Sequence, residues 1–259
     1  MPEIDRRAFI QTGASALCSV GFARLPVRPS ARRAVVCLFL RGGVDGLSMI
    51  VPHGDAPYYH ARPHTAIPAA DVIRLDDYFG LHPGLAPLKH FWDEGTLRVI
   101  PAAGHPELTR GHVAAQDRID AVLARRGAVT FGTLHDVARL IRAGTAPDIA
   151  VVNVGGWDTH VNQGSSNGQL ATRLRKVGLE IAAFAHELGE RARDVTLLTL
   201  SEFGRTIREN RNGGTDHGHA TAMLALGGPM QGGVWGRWPG LDGGGADVAV
   251  TTDFRSLLA

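Results

Sequence analysis

The sequence predicts an α/β fold in which a mostly parallel central sheet carries helices on both faces. Apolar runs of strand length alternate along the chain with segments of helical periodicity. The first run, residues 34–40 (AVVCLFL), is apolar throughout, as expected for a strand buried on both faces. Composition agrees, because 44% hydrophobic and 20% charged residues over 259 positions are typical of one globular domain.

The elements follow in chain order. Strands are predicted at residues 34–40, 97–101, 149–154, 195–200, 223–226 and 248–251. Helices are predicted at residues 112–125, 133–143 and 168–193. In a sheet of this kind the ligand site lies outside the carboxyl ends of the strands, so the residues that follow the strands are the candidates for function.

The N-terminus resembles a twin-arginine export signal, because the string DRRAFI (residues 5–10) precedes a weakly apolar run. This predicts passage through the twin-arginine export machinery to the periplasm or the extracellular space, unless the paired arginines are chance. The run is too short for a membrane span of about 20 apolar residues, so no permanent membrane anchor is expected. The expected organisation is a signal peptide at residues 1–23, a linker at 24–33 and a folded domain at 34–259.

Charge and cysteine content narrow the functional classes. With 27 basic and 25 acidic residues the net charge is +2, which offers no cationic excess for binding nucleic acid. Of the two cysteines, Cys18 lies in the predicted leader and Cys37 lies in an apolar run, so no disulfide framework is expected. A domain of this size needs no metal merely to hold its core together, so any metal is expected to serve chemistry.

Four glycine-flanked polar strings lie along one predicted edge of the sheet. The predicted metal ligands within them are Asp45, Asp158, His160, Glu202, Asp216, His217 and His219. Carboxylates gathered at one place repel one another unless cations lie between them. Their mixture with imidazoles suits divalent zinc, manganese or magnesium ions. Taken singly, Asp45 also fits a turn, the string WDTH fits a helix cap, and Glu202 with Arg205 fits a surface ion pair.

These strings carry a family resemblance. In order, DRRAFIQTGA, LRGGVDGLS, HPGLAPL, GGWDTHVNQ, LSEFGRT, GGTDHGHA and VTTDFRSLL resemble the bacterial domain of unknown function 1501 family, over nearly the whole chain. That family is placed in the alkaline phosphatase and sulfatase superfamily. The resemblance implies an alkaline phosphatase-like fold for residues 34–259. It also implies hydrolysis or transfer at a phosphate or sulfate ester, small or polymer-linked, between two cations.

The resemblance also implies roles for individual residues. Asp45 corresponds to the superfamily aspartate that binds one metal. Asp158 and His160 correspond to the Asp and His pair that binds the other metal. Glu202 falls where superfamily members place an Asp or His. Asp216, His217 and His219 resemble the later metal-binding segment.

The sequence departs from the family pattern at the predicted nucleophile. Relatives carry a Ser-His pair at the start of the helix at residues 112–125, whereas this chain has Gly111 and His112. A helix N-terminus stabilises an anion, but glycine supplies no oxygen for covalent chemistry. Thr109 is one substitute nucleophile, a metal-activated water is another, and Arg110 and His112 remain as oxyanion partners.

Two other functions compete with an exported metal-dependent hydrolase. A noncatalytic periplasmic metal-binding, anion-binding or assembly protein is favoured by Gly111. A Ser-His-Asp hydrolase is weaker, because the chain contains no Gly-x-Ser-x-Gly elbow. The stretch between residues 116 and 149 is shorter than expected of relatives. Residues 251–259 end as a helical pattern begins, so we expect a truncated chain.

Overall fold

The apolar run Ala34–Leu40 forms an interior strand of the main sheet. The computed structural model describes residues 33–107, 109–243 and 245–258. The run pairs in parallel with Ile149–Val154 on one side and with Val195–Leu200 on the other. Six of its seven residues are buried, Val35 being the exception. The sequence therefore identified this interior strand correctly.

The bounds of the elements are as follows. The strands are β1 (Ala34–Leu40), β2 (Ile50–Val51), β3 (Ile73–Arg74), β4 (Gly80–Leu81), β5 (Leu97–Gly104), β6 (Val129–Phe131), β7 (Ile149–Val154), β8 (Val195–Leu200), β9 (Arg205–Glu209), β10 (Thr215–His217), β11 (Thr221–Gly227), β12 (Gly233–Val234) and β13 (Thr252–Asp253). The helices are α1 (Gly46–Met49), α2 (Ala56–Ala61), α3 (Lys89–Asp93), α4 (His112–Arg125), α5 (Leu134–Ala143) and α6 (Gln169–Leu188). Short 3-10 helices span Pro83–Leu88, Gly189–Asp194 and Phe254–Leu257.

The main sheet is mixed and mostly parallel. Its strand order is β12-β5-β11-β8-β1-β7-β6, and β13 also pairs with β5. Strands β8, β1, β7 and β6 run parallel, whereas β11 is antiparallel to both β8 and β5. Two small sheets, β2-β4-β3 and β9-β10, lie beside it. The prediction of an α/β fold is confirmed.

Helices cover both faces of the sheet. On one face, Ile141 of α5 and Ile181 of α6 belong to the same buried cluster as Leu38 of β1. On the other face, Ile119 of α4 packs in a cluster with Phe39. Each large apolar side chain removed from water in this way stabilises the fold by about 1.5–3 kcal/mol. The alternation of Leu38 and Phe39 between the faces is the two-residue period of a strand buried on both sides.

The predicted bounds of β1, β7, β8 and α4 are confirmed to the residue. The predicted strand at residues 248–251 is wrong, because this stretch runs beside the sheet with isolated hydrogen bonds and ladder pairing begins only at Thr252. The predicted helix at 168–193 ends early, at Leu188. Gly189 takes a positive φ of 53°, and the chain continues as a 3-10 helix.

The predicted signal peptide at residues 1–23 and the linker up to residue 32 lie outside the described residues. All described residues belong to one compact unit. None of the helices in residues 33–258 that the structure describes has the length and apolar character to cross a membrane. Cys37 is buried as a free thiol in the core of the sheet.

Parallel pairing brings the loops after β7, β1 and β8 together at one edge. The backbone N–H of Gly42, after β1, donates to Oε1 of Glu202, after β8, at 2.8 Å. Gly42 has a φ of +124°, and a Cβ there would lie 2.8 Å from the backbone nitrogen of Asp158, after β7. Only glycine suits this conformation and this close approach. Backbone packing thus brings the polar strings to one place.

Candidate metal centre

Three chain segments contribute side chains to one cluster at this edge. His112 is the first residue of α4, and Asp158 and His160 lie in the loop after β7. His217 ends β10, which pairs with β9 so that His217 lies opposite Arg205. The fold therefore gathers residues that are up to 105 positions apart in the sequence, from residue 112 to residue 217.

The carboxylate of Asp158 lies at the centre of the cluster. Its Oδ1 is 3.0 Å from Nε2 of His160 and 3.1 Å from Nε2 of His217. Its Oδ2 is 3.4 Å from Nε2 of His112. One ligand atom each from His112, Asp158 and His217 lies within 4.8 Å of the others. Donors this close together can share one ion at bonds of about 2 Å.

The outer nitrogen of each imidazole contacts an oxygen acceptor. The Nδ1 contacts are His112 with Oε1 of Glu202 at 2.8 Å, His160 with Oδ1 of Asp216 at 2.9 Å, and His217 with the carbonyl oxygen of Arg110 at 2.7 Å. An oxygen acceptor places the ring proton on Nδ1 and leaves a lone pair on Nε2. All three lone pairs then face the Asp158 carboxylate. Metal-binding histidines are held in this way by carboxylates and carbonyls.

Two further observations test whether a cation fits this site. Nε2 of His112 is buried and has no hydrogen-bond partner among the described residues. Nε2 of His160 lies 3.0 Å from Nε2 of His217, so two lone pairs face each other in the tautomers just described. A cation bonded to all three nitrogens would satisfy the unpartnered atom and remove the repulsion. The donor set therefore fits a divalent ion.

Arg205 holds Asp158 in its ionised form. Although burial by itself raises the pKa of Asp158, neighbouring groups, chiefly the hydrogen bond from Arg205, lower that pKa to about 2. The guanidinium of Arg205 is buried and donates to Oδ1 of Asp158 at 2.7 Å. It also donates to the carbonyl oxygens of Gly42 and Gly43. One side chain thus joins the loop after β1 to the central carboxylate.

Glu202 and Asp216, both predicted as metal ligands, lie beside the cluster as partners of the imidazoles. Glu202 is buried, which raises the pKa of its carboxyl group, but hydrogen bonds from Gln116 and His112 outweigh burial and lower the pKa. Hydrogen bonds from Asn210 and His160 lower the pKa of Asp216. Both side chains are therefore charged acceptors that orient a ring. The alternative of a surface pair between Glu202 and Arg205 does not describe them, since both are buried and each bonds to other residues.

The structure does not bring Asp45 into the cluster. Asp45 is fully buried, with Oδ2 at 2.6 Å from Nη1 of Arg62 and Oδ1 at 3.1 Å from Nη2. Ser48 and Gln163 donate further hydrogen bonds to Oδ2. Burial raises the pKa of Asp45, but the charge and hydrogen bonds of Arg62 hold it below its usual value. The guanidinium supplies the positive charge that the sequence reasoning assigned to a metal.

The other predicted residues lie around the cluster. His219 directs Nε2 to the carbonyl oxygen of His105 at 2.9 Å. Arg110 pairs its guanidinium with Asp247, while its carbonyl oxygen orients His217. Thr109 is half-buried in the loop before α4. His112, predicted as an oxyanion partner, instead contributes an imidazole to the cluster.

Gly111 occupies the N-cap position of α4, next to the cluster. It is exposed, and its φ of −95° and ψ of 121° are accessible to any residue. A Cβ built there meets nothing within 4 Å. The position where the family resemblance predicts a hydroxyl therefore has room for a side chain.

Sequence reasoning missed the half-buried Gln116 and three buried polar residues around the cluster: Arg62, Gln163 and Arg205. A signal was available for Gln116, which lies one helical turn after His112 on α4 and so shares its face. Arg62 lies outside any periodic pattern, and its role depends on tertiary contacts alone.

Comparison with known proteins gives one family. Residues 131–259 match the family described as "Protein of unknown function (DUF1501)". This match supports the DUF1501 family. The DUF1501 match includes Asp158, His160 and His217, while His112 precedes it. No curated protein matches the chain.

Proposed function

We propose that this protein is an exported, metal-dependent hydrolase of phosphate or sulfate esters, of the alkaline phosphatase type. The observation that carries the proposal is the convergence of three Nε2 atoms on Asp158 while each Nδ1 contacts an oxygen. His112, Asp158, His160 and His217 are the proposed ligands. A divalent ion bound by them supplies Lewis-acid polarisation of the ester and makes water a stronger nucleophile.

The donor set favours zinc over manganese or magnesium. Three imidazole nitrogens and one carboxylate oxygen suit a borderline ion, whereas magnesium prefers oxygen ligands and water. We assign a single ion to the cluster, because Asp45, which the family resemblance assigned to a second metal, is already neutralised by Arg62.

The N-terminus of α4 provides a place for the ester group. Among the residues that the structure describes, no side chain caps this helix end, so the first amides of the helix can receive an oxyanion beside His112. The positive end of the helix dipole favours the extra charge that develops on an ester oxygen during attack. In this proposal α4 binds the oxyanion and Arg205 keeps Asp158 ionised.

The fold class and the leader support the rest of the proposal. The site lies at the carboxyl ends of β7, β1 and β8, which is the usual site position in α/β sheets, although fold alone does not define a reaction. The family resemblance supplies the ester chemistry, with a small or polymer-linked ester as the substrate. The paired arginines at residues 6–7 support recognition by the twin-arginine export machinery and a periplasmic or extracellular location.

A metal-reloading assay tests the proposal. Protein stripped with a chelator is reloaded with Zn²⁺ and assayed on p-nitrophenyl phosphate and p-nitrophenyl sulfate. We expect zinc-dependent turnover that His217→Ala abolishes. His219→Ala is the matched control, because His219 is also a half-buried histidine near this edge but bonds a backbone carbonyl. Zinc-loaded wild-type protein that hydrolyses neither ester would refute hydrolysis of these aryl esters.

The second candidate is a noncatalytic metal-binding or anion-binding protein, and Gly111 is the observation that favours it. Zinc-loaded protein that binds inorganic phosphate without turning over either ester would support this candidate. Gly111→Ser then tests whether only the hydroxyl is missing, since the backbone and the open space at residue 111 admit serine. Turnover that appears in this variant would identify the protein as a hydrolase scaffold without its nucleophile.

A further inference from the structure

A single buried amide connects the two chain segments that carry His160 and His217. Gln163 is fully buried, and its Oε1 accepts hydrogen bonds from Oγ1 of Thr159 at 2.7 Å and from Oγ1 of Thr215 at 2.8 Å. Thr159 immediately precedes His160, and Thr215 lies two residues before His217. One oxygen atom therefore fixes both segments.

Backbone hydrogen bonds reinforce this connection. The N–H of Thr215 donates to the carbonyl oxygen of Thr159 at 3.2 Å, and the N–H of Gln163 donates to that of Gly213 at 2.8 Å. The two segments thus lie side by side, joined by these backbone hydrogen bonds as well as by the side chain of Gln163. A change in the Gln163 side chain would alter their separation rather than unpair the main sheet.

Asp45 determines which way the amide faces. Nε2 of Gln163 donates to Oδ2 of Asp45 at 2.7 Å. An ionised carboxylate only accepts hydrogen bonds, so it selects the orientation in which the NH₂ group faces Asp45 and the oxygen faces the threonines. Arg62 keeps Asp45 ionised, because it bonds to both carboxylate oxygens. The opposite orientation would place two oxygen acceptors against each other.

We propose that Gln163 is a positioning residue that sets the separation of His160 and His217, and that the buried Asp45–Arg62 pair anchors this residue. The proposal rests on the proposed metal site. In it, Asp45 acts on the metal only indirectly, through Gln163 and the hydroxyls of Thr159 and Thr215. All of these groups are buried and hydrogen-bonded to one another, so water does not compete for them.

Metal affinity measured with Co²⁺ tests this role. Thr159→Val and Thr215→Val each remove one hydroxyl from the amide oxygen at nearly constant shape, whereas Thr159→Ser and Thr215→Ser keep it. We expect the valine variants to bind Co²⁺ about 10–100-fold more weakly than wild type, the cost typical of losing a group that orients metal ligands. The serine variants are expected to restore most of the affinity.

Thr199→Val is the matched control. Thr199 is equally buried, and its hydroxyl accepts a hydrogen bond from the backbone of Leu224 in the main sheet. We expect this variant to lose thermal stability but to keep its Co²⁺ affinity. Folded valine variants at Thr159 and Thr215 with wild-type affinity would overturn the proposal.

A metal-free measurement separates this proposal from the metal site itself. Wild-type protein that binds no Co²⁺ would refute the proposed function. Hydrogen exchange of the metal-free protein then tests the contact between the two segments directly, because the backbone N–H of Thr215 donates to the carbonyl oxygen of Thr159. We expect this amide to exchange faster in Gln163→Met than in Thr199→Val. Equal exchange rates of the Thr215 amide in the two variants would refute the role of Gln163 in holding the two segments together.

Discussion

Nε2 of His160 lies 3.0 Å from Nε2 of His217, although His160 lies in the loop after β7 and His217 ends β10. Each ring has its Nδ1 at an oxygen acceptor, so neither is free to turn its lone pair away. The backbone and the surrounding carboxylates therefore hold the two nitrogens in a conformation that a cation stabilises.

We expect zinc to stabilise the protein and a chelator to lower its melting temperature. A ligand that binds only the folded state at 100 times its Kd adds about 2.7 kcal/mol. Differential scanning fluorimetry checks the shift, and elemental analysis is expected to find a single zinc ion per chain. Equal melting temperatures with zinc and with chelator, or two ions per chain, would contradict the proposed site. His219→Ala should respond to zinc as wild type does.

Gly42→Ala is expected to destabilise the protein and to weaken zinc binding. Its φ of +124° is costly for alanine, and the new Cβ would lie 2.8 Å from the backbone nitrogen of Asp158. Such backbone strain costs about 1–3 kcal/mol, which chemical denaturation can measure. Gly111→Ala is the control, because its backbone is relaxed and its Cβ meets nothing within 4 Å. Similar losses in both variants would show that close packing is not the cause.

Arg62→Met is expected to destabilise the protein strongly. It leaves the Asp45 carboxylate buried without its positive partner, and breaking a buried ion pair costs about 3–5 kcal/mol. Arg62→Met combined with Asp45→Asn removes the unpaired charge and is expected to recover part of this loss. Urea denaturation at neutral pH measures both variants. A double variant no more stable than the single one would argue against the unpaired charge as the cause.

The contribution of Asp45 to stability is expected to depend on pH. The folded-state pKa of Asp45 is below its usual value, despite burial, because of Arg62. Stability from this shift is fully present above the unfolded pKa of about 4 and is lost as pH falls through the folded pKa. The stability difference between wild type and Asp45→Asn should therefore shrink below about pH 4. Denaturation curves between pH 7 and pH 3 check this, and a difference that grows on acidification would contradict it.

Much of the fold could be predicted because it follows from local patterns. The run AVVCLFL is apolar at every position and of strand length, which favours a strand covered on both faces. The carboxyl ends of parallel strands meet at one edge, which is why the loops after β1 and β7, the second with Asp158 and His160, were expected to lie close together. His217 ends β10 in a small antiparallel sheet and joins them through a tertiary contact. The strand at residues 248–251 was wrong because alternating valines also suit an extended segment with isolated hydrogen bonds.

The site was less predictable because its roles depend on partners that are distant in the sequence. Asp45 resembles a metal ligand until Arg62, 17 residues later, is found at its oxygens. His219 is only two residues from His217, but the backbone N–H of Gly204 holds its carbonyl oxygen and its ring turns to His105. Which nitrogen of each histidine faces the cluster is likewise a tertiary property.

Helix α4 carries His112 at its first position and inserts Ile119 into the core three residues beyond Gln116. An ion bound by His112 would therefore connect this helix to the loop after β7 and to β10. A mutation that loosens the packing of α4 on the core would displace the His112 imidazole from the ion. Mutations along the buried face of α4, far from the opening of the site, should therefore still reduce metal occupancy.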